Sequence, residues 1–144
     1  MTPSTPRSTR GTRSVKAYAN VGLETEVMSA PPERLISLLF RGALTAIAQA
    51  RFHMQAQRIA ERGAALSKAI DIVDSGLKAS INIEQGGDVA RHLTAAYELV
   101  IRDLLQANLH SDETKLSSAE RLLSDLADAW RTAADPSFGQ TCAQ

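Results

Sequence analysis

From residue 32 onward the chain repeats apolar residues at steps of three and four through four successive runs, each closed by a turn signal. That spacing is the mark of amphipathic helices. The first run, about 32–57, carries Leu35, Ile36, Leu38, Leu39, Phe40, Leu44 and Ile47 towards Met54, while its polar side chains fall mainly on one i+4 row of Ser37, Arg41, Thr45 and Gln49. Only one stripe of this helix is suited to water, so most of its circumference needs cover. Pro32 fits the first helical position and Glu33 suits the positive helix end, but Pro31 has no side-chain oxygen with which to cap it.

After a polar connector at 58–63, a second helix is expected over about 64–81, with Leu66, Ile70, Val73, Leu77 and Ile81 on one face. Gly86-Gly87 then breaks the chain and Asp88 is a natural cap, so a third helix is expected over about 88–109. It turns Leu93, Ala96, Tyr97, Val100, Ile101, Leu104 and Leu105 inward, and Arg91, Glu98 and Arg102 outward. Ser111 or Asp112 can cap a fourth helix over about 112–134, where Leu116, Ala119, Leu123, Leu126, Trp130 and Ala133 form a heptad seam. Asp135-Pro136 ends it. No segment alternates with the period of a strand, and short connectors between long helices specify an all-α, antiparallel up-down-up-down four-helix bundle.

The flanks read differently. Residues 1–16 lack an apolar period and contain Pro3, Pro6 and Gly11, as expected of a disordered basic tail, and 135–144 read as a flexible C-terminal tail. Between them, Tyr18, Val21, Leu23, Val27 and Met28 are irregularly spaced, which suits a short segment packed on the bundle better than a free-standing helix. The domain therefore spans 17–134.

Composition narrows the function. The formal net charge is zero over 144 residues, but Arg7, Arg10, Arg13 and Lys16 stand in a stretch without a carboxylate, so twelve Lys and Arg face sixteen Asp and Glu in the remainder. A domain near −4 has no basic surplus for nucleic acid. No long apolar run follows the tail, so neither a signal peptide nor membrane insertion is expected. The one cysteine, Cys142, cannot form an internal disulfide, and the cytosol is the expected compartment.

Chemistry in a helical bundle would need positioned ligands or bases. A carboxylate-bridged metal pair uses Glu-x-x-His, but Ala50, Val89 and Ala107 stand three residues before His53, His92 and His110. A phosphotransfer histidine needs basic and glycine neighbours, and Leu93-Thr94-Ala95-Ala96 follow His92. Cys142 has no base beside it. No catalytic residue, metal site or cofactor is expected. Gly42 is more telling, because a glycine inside a helix costs about 1 kcal/mol against alanine and signals close approach, either within the bundle or at a partner groove.

Several blocks, in order, resemble the FliS-like flagellar export chaperones: AYANVGLETEVMSA, PPERLISLLFRGAL, ALSKAIDIVDSGLKASI, GGDVARHLTAAYELVIRDLLQANL and DLADAW. Tyr18, Pro32, Leu35, Gly42, Tyr97, Leu109 and Trp130 fall on recognisable family positions. Two residues depart from the pattern: Pro31 replaces the usual capping Ser or Thr, and Arg41 stands where an Asp commonly precedes the glycine. The resemblance implies a non-enzymatic, ATP-independent bundle in the bacterial cytosol. It would hold the disordered C-terminal region of flagellin, prevent premature polymerisation and present it to components of the flagellar type III export apparatus. It also implies that the segment matching Tyr18 to Met28 covers a hydrophobic groove until flagellin displaces it. On this reading Leu35, Leu38, Leu39, Gly42, Ala46, Tyr97 and Ile101 are candidates for the groove, and Tyr18, Val21 and Val27 for its cover. Without the resemblance, an adaptor for another secreted or regulatory protein, or a phosphotransfer bundle, would stay open.

Overall fold

In a computed structural model of the chain, residues 31–134 are described, and every regular element among them is helical. Helix α1 spans Pro32–Gln55. Helix α2 spans Ile59–Asp71 and continues through a π-helical turn, Ile72–Leu77, and a 3-10 turn, Lys78–Ser80. Helix α3 spans Ile83–His110 and α4 spans Glu113–Ala134. Each helix packs on its neighbour in sequence, and α1 also packs on α4, which closes the ring. The four-helix bundle read from the sequence is the fold.

Polar contacts at the two ends show that neighbours run antiparallel. Near the end of α1, Arg51 reaches the start of α4, with Nη2 2.9 Å from Glu120 Oε1 and 3.0 Å from Ser117 Oγ. Gln55 Nε2 donates to Glu113 Oε2 at 2.8 Å beside them. At the opposite end, Trp130 Nε1 of α4 donates to Ser37 Oγ of α1 at 3.3 Å. Between α2 and α3, Arg62 spans three acceptors: Asn108 Oδ1 at 3.1 Å, Asn108 O at 3.0 Å and Ser111 Oγ at 3.0 Å.

The core is aliphatic. Leu38, Ala43 and Ile47 of α1 meet Leu66, Ala69, Ile72 and Val73 of α2, Val100 and Leu104 of α3, and Leu116 and Leu123 of α4 in one cluster. By length and composition α1 could cross a membrane, yet the apolar face responsible for that is the bundle's own core. Its polar row of Ser37, Arg41, Thr45 and Gln49 is exposed, as its spacing predicts.

Two helix starts differ from the sequence reading. Helix α2 begins at Ile59, five residues earlier than expected, because Arg62 ties its first turn to α3 and Gly63 has room beside Asn108. The connector is only three residues, and Gln57 turns the chain at φ 60° without help from glycine. Helix α3 gains a turn before the glycines, Ile83–Gly86, capped by Asn82 Oδ1, which accepts from Gln85 N at 3.1 Å. Asp88, the expected cap, pairs with Arg91. Leu105, placed inward by its spacing, is exposed. The start of α4 follows expectation: Asp112 Oδ1 accepts from Thr114 N at 2.9 Å and Lys115 N at 3.2 Å.

Candidate functional site

All four helices contribute to one end of the bundle: the starts of α1 and α3 and the ends of α2 and α4. There an apolar groove of about 470 Å³ opens among Pro32, Leu35, Ile36, Leu77, Ile81, Val89, Leu93, Tyr97 and Trp130, with Ser80, Asn82, Gly86 and Ala90 completing its lining. A concavity of this size and composition suits a few aliphatic side chains from a partner.

Regular helix geometry fails in two of the walls. The last turns of α2 widen into the π turn and then tighten into the 3-10 turn, where Ser80 Oγ donates to Leu77 O at 2.7 Å. A π turn inside a helix re-aims the residues that follow, and Leu77, Ser80 and Ile81 are turned towards the groove. On the α3 side Gly87 leaves the helix at φ 57°, ψ −132°, a conformation open in practice only to glycine. Gly86 lies so close to the next turn that a Cβ there would sit 2.5 Å from Ala90 Cβ. The glycine pair thus bends the first turn of α3 across the groove's edge.

Tyr97 lies at the base of this site. Its ring stacks obliquely on Phe40, with centroids 6.3 Å apart, and only 3% of the residue is exposed. Burial alone pushes its phenol up to about 12.

Trp130 is shared with a second groove of about 510 Å³ between α1 and α4, lined in part by Phe40, Arg41, Leu44, Ala127 and Arg131. The indole therefore separates the two hollows. Arg41, which departs from the family pattern, points into the second and away from the first.

Of the residues expected to form a groove, Leu35 and Tyr97 line the apolar one. Leu38, Leu39, Gly42 and Ala46 are instead buried within the bundle, and Ile101 is half-buried against the core. They are correctly apolar but face inward, because α2 and α4 flank α1 along that length. Tyr18, Val21 and Val27 lie outside the described residues. Sequence reasoning missed Ile81, Val89 and Leu93 as groove residues, since each reads as an ordinary position on an amphipathic helix. The glycine pair was the available signal. As for chemistry, His53 is half-buried on α1 while His92 and His110 are exposed on α3, and no group of His, Cys, Asp or Glu among the described residues is gathered to hold a metal.

An aliphatic bundle with an apolar groove at one end, walled by distorted helix termini, defines a protein-binding helical module. Residues 14–137 match the family model described as flagellar protein FliS, and the chain belongs to that family. It is 47% identical over 117 residues to the flagellar secretion chaperone FliS of Salmonella typhimurium, covering 81% of this chain and 87% of that one. The Escherichia coli protein of the same name is 39% identical, with 83% and 88% covered. The flagellar secretion chaperone FliSB of Pseudomonas aeruginosa is 37% identical, with 82% and 93% covered.

Proposed function

We propose that this protein is a non-enzymatic, ATP-independent chaperone of the bacterial cytosol that holds the C-terminal region of flagellin, keeps it from polymerising and hands it to the flagellar export apparatus. Membership of the FliS family supports the class. The observation that carries the reading to a particular surface is the apolar groove at the α1 start. An amphipathic segment of flagellin would bury its apolar face there, and ordering that segment would offset part of the gain.

Pro32 is both the first residue of α1 and part of the groove lining, so α1 begins at the rim. That position of the α1 start supports Tyr18, Val21 and Val27 as an intramolecular cover competing with flagellin. A cover lowers apparent affinity by the fraction of time the groove is closed. Leu35 and Tyr97 are the groove contacts this reading retains from the sequence. Leu38, Leu39, Gly42, Ala46 and Ile101 act behind it, by fixing the walls.

The deciding experiment is titration of the purified protein with full-length flagellin and with flagellin lacking its C-terminal segment. Micromolar or tighter binding that vanishes with the truncation is the expected result. Equal binding by both forms would overturn the reading. Deleting residues 1–28 is expected to speed association, and an unchanged rate and affinity would remove the cover.

A further inference from the structure

Four side chains in the apolar groove carry polar atoms: Ser80, Asn82, Tyr97 and Trp130. Three each make one hydrogen bond within the fold. Ser80 Oγ donates to Leu77 O, Asn82 Oδ1 accepts from Gln85 N, and Trp130 Nε1 donates to Ser37 Oγ. The Tyr97 hydroxyl is different: it makes no hydrogen bond within the described residues. Nor is the hydroxyl sealed away, because the fully enclosed, unpartnered side-chain polar atom among the described residues is His53 Nδ1. With its ring packed on Phe40 in a residue 3% exposed, Tyr97 is held in place at the groove.

A hydroxyl held at the base of an apolar groove with no partner in the protein has only water to pair with in the unbound state, and groups of that kind are strong discriminators. A ligand that pairs with it replaces that water, whereas a ligand that covers it with carbon leaves it unpaired. We propose that the Tyr97 hydroxyl is the register mark of the groove, pairing with one neutral polar group, a Ser, Thr, Asn or Gln side chain, on the otherwise apolar face of the bound segment. The inference rests on the reading of the groove as the flagellin site. It adds a requirement that apolar burial cannot impose, since a run of similar aliphatic residues fits such a groove in several registers, and a single buried polar pair selects one. Burial against an apolar groove disfavours a carboxylate at the facing position, so the partner group must be uncharged.

The test uses the full chain and a C-terminal flagellin fragment. Affinities of wild type and Tyr97→Phe are measured for the fragment and for versions in which each Ser, Thr, Asn and Gln is changed to alanine in turn. Tyr97→Phe should bind about three- to tenfold more weakly. One alanine position should cost wild type a similar factor and cost Tyr97→Phe nothing, and glutamate there should cost wild type more than alanine does. The unbound Tyr97→Phe protein should be no less stable than wild type, because its missing hydroxyl had no internal partner. That separates ligand contact from a structural role. If Tyr97→Phe binds as tightly as wild type, or every alanine effect is the same in both backgrounds, the register mark is overturned while the groove remains flagellin's site. Failure of the wild-type protein to bind the fragment at all would overturn both.

Discussion

Tyr97 also makes stability depend on pH at the alkaline end. Its phenol is raised from 10.0 to about 12 by burial, so below pH 10 folded and unfolded chains are alike protonated there. As pH rises from 10 towards 12 the unfolded chain ionises first and stability falls, by at most about 3 kcal/mol for a shift of this size. Lys78 acts in the same direction: its hydrogen bond to Asp74 raises its pKa, and the stabilisation is lost as pH climbs above the ordinary lysine value. Lys78 is common to wild type and Tyr97→Phe, so comparing them isolates the phenol. Urea midpoints between pH 9 and 11.5 are expected to fall more steeply for wild type, and parallel curves would contradict the assignment. Leu39, a groove candidate from the sequence, is no probe of the groove: it is 3% exposed, and Leu39→Asp would bury a carboxylate in the core.

Among the elements, the α2–α3 pair carries the weakest local signature. Leu66, Val73 and Leu77 do face the core at the expected spacing. The first turn of α2 carries no such sign, because Ile59 is exposed and the turn is held from outside by Arg62. A contact between residues 46 apart in sequence leaves no local period. Arg62→Ala removes three hydrogen bonds between α2 and the end of α3, and should cost about 1–2 kcal/mol given its partial exposure. Hydrogen exchange should show faster exchange through the first turns of α2, with α1 and α4 unchanged. Uniform protection in the variant would mean that the early start of α2 does not depend on Arg62. The π turn has no comparable sequence signature: Gly76 lies within it, but glycine in a helix permits several distortions.

For the whole molecule, the useful probe of the groove is a lining residue that the fold does not need. Val89 meets that condition, being 75% exposed and on the wall. Val89→Asp should leave folding stability within about 0.5 kcal/mol of wild type. It should weaken binding of the flagellin C-terminal fragment at least about tenfold, since the carboxylate would lose its water in the complex. Gln49→Asp, on the exposed polar row of α1, serves as the control and should change neither quantity. Calorimetric titration alongside urea unfolding reads both, and equal affinities for wild type and Val89→Asp would move the binding surface elsewhere.

The sequence by itself determined the four helices, their antiparallel order, the polar row of α1 and the family, because helical period, turn residues and motif blocks are local properties of the chain. It also showed that α1 carries more apolar surface than one neighbour could cover. Only the tertiary structure decided how that surface is used. Periodicity gives the angle at which a side chain leaves its helix, not where the neighbouring helices stop. At Leu38, Leu39 and Ala46 the bundle closes over α1; at Leu35, beside the distorted end of α2 and the glycine bend in α3, it leaves a groove.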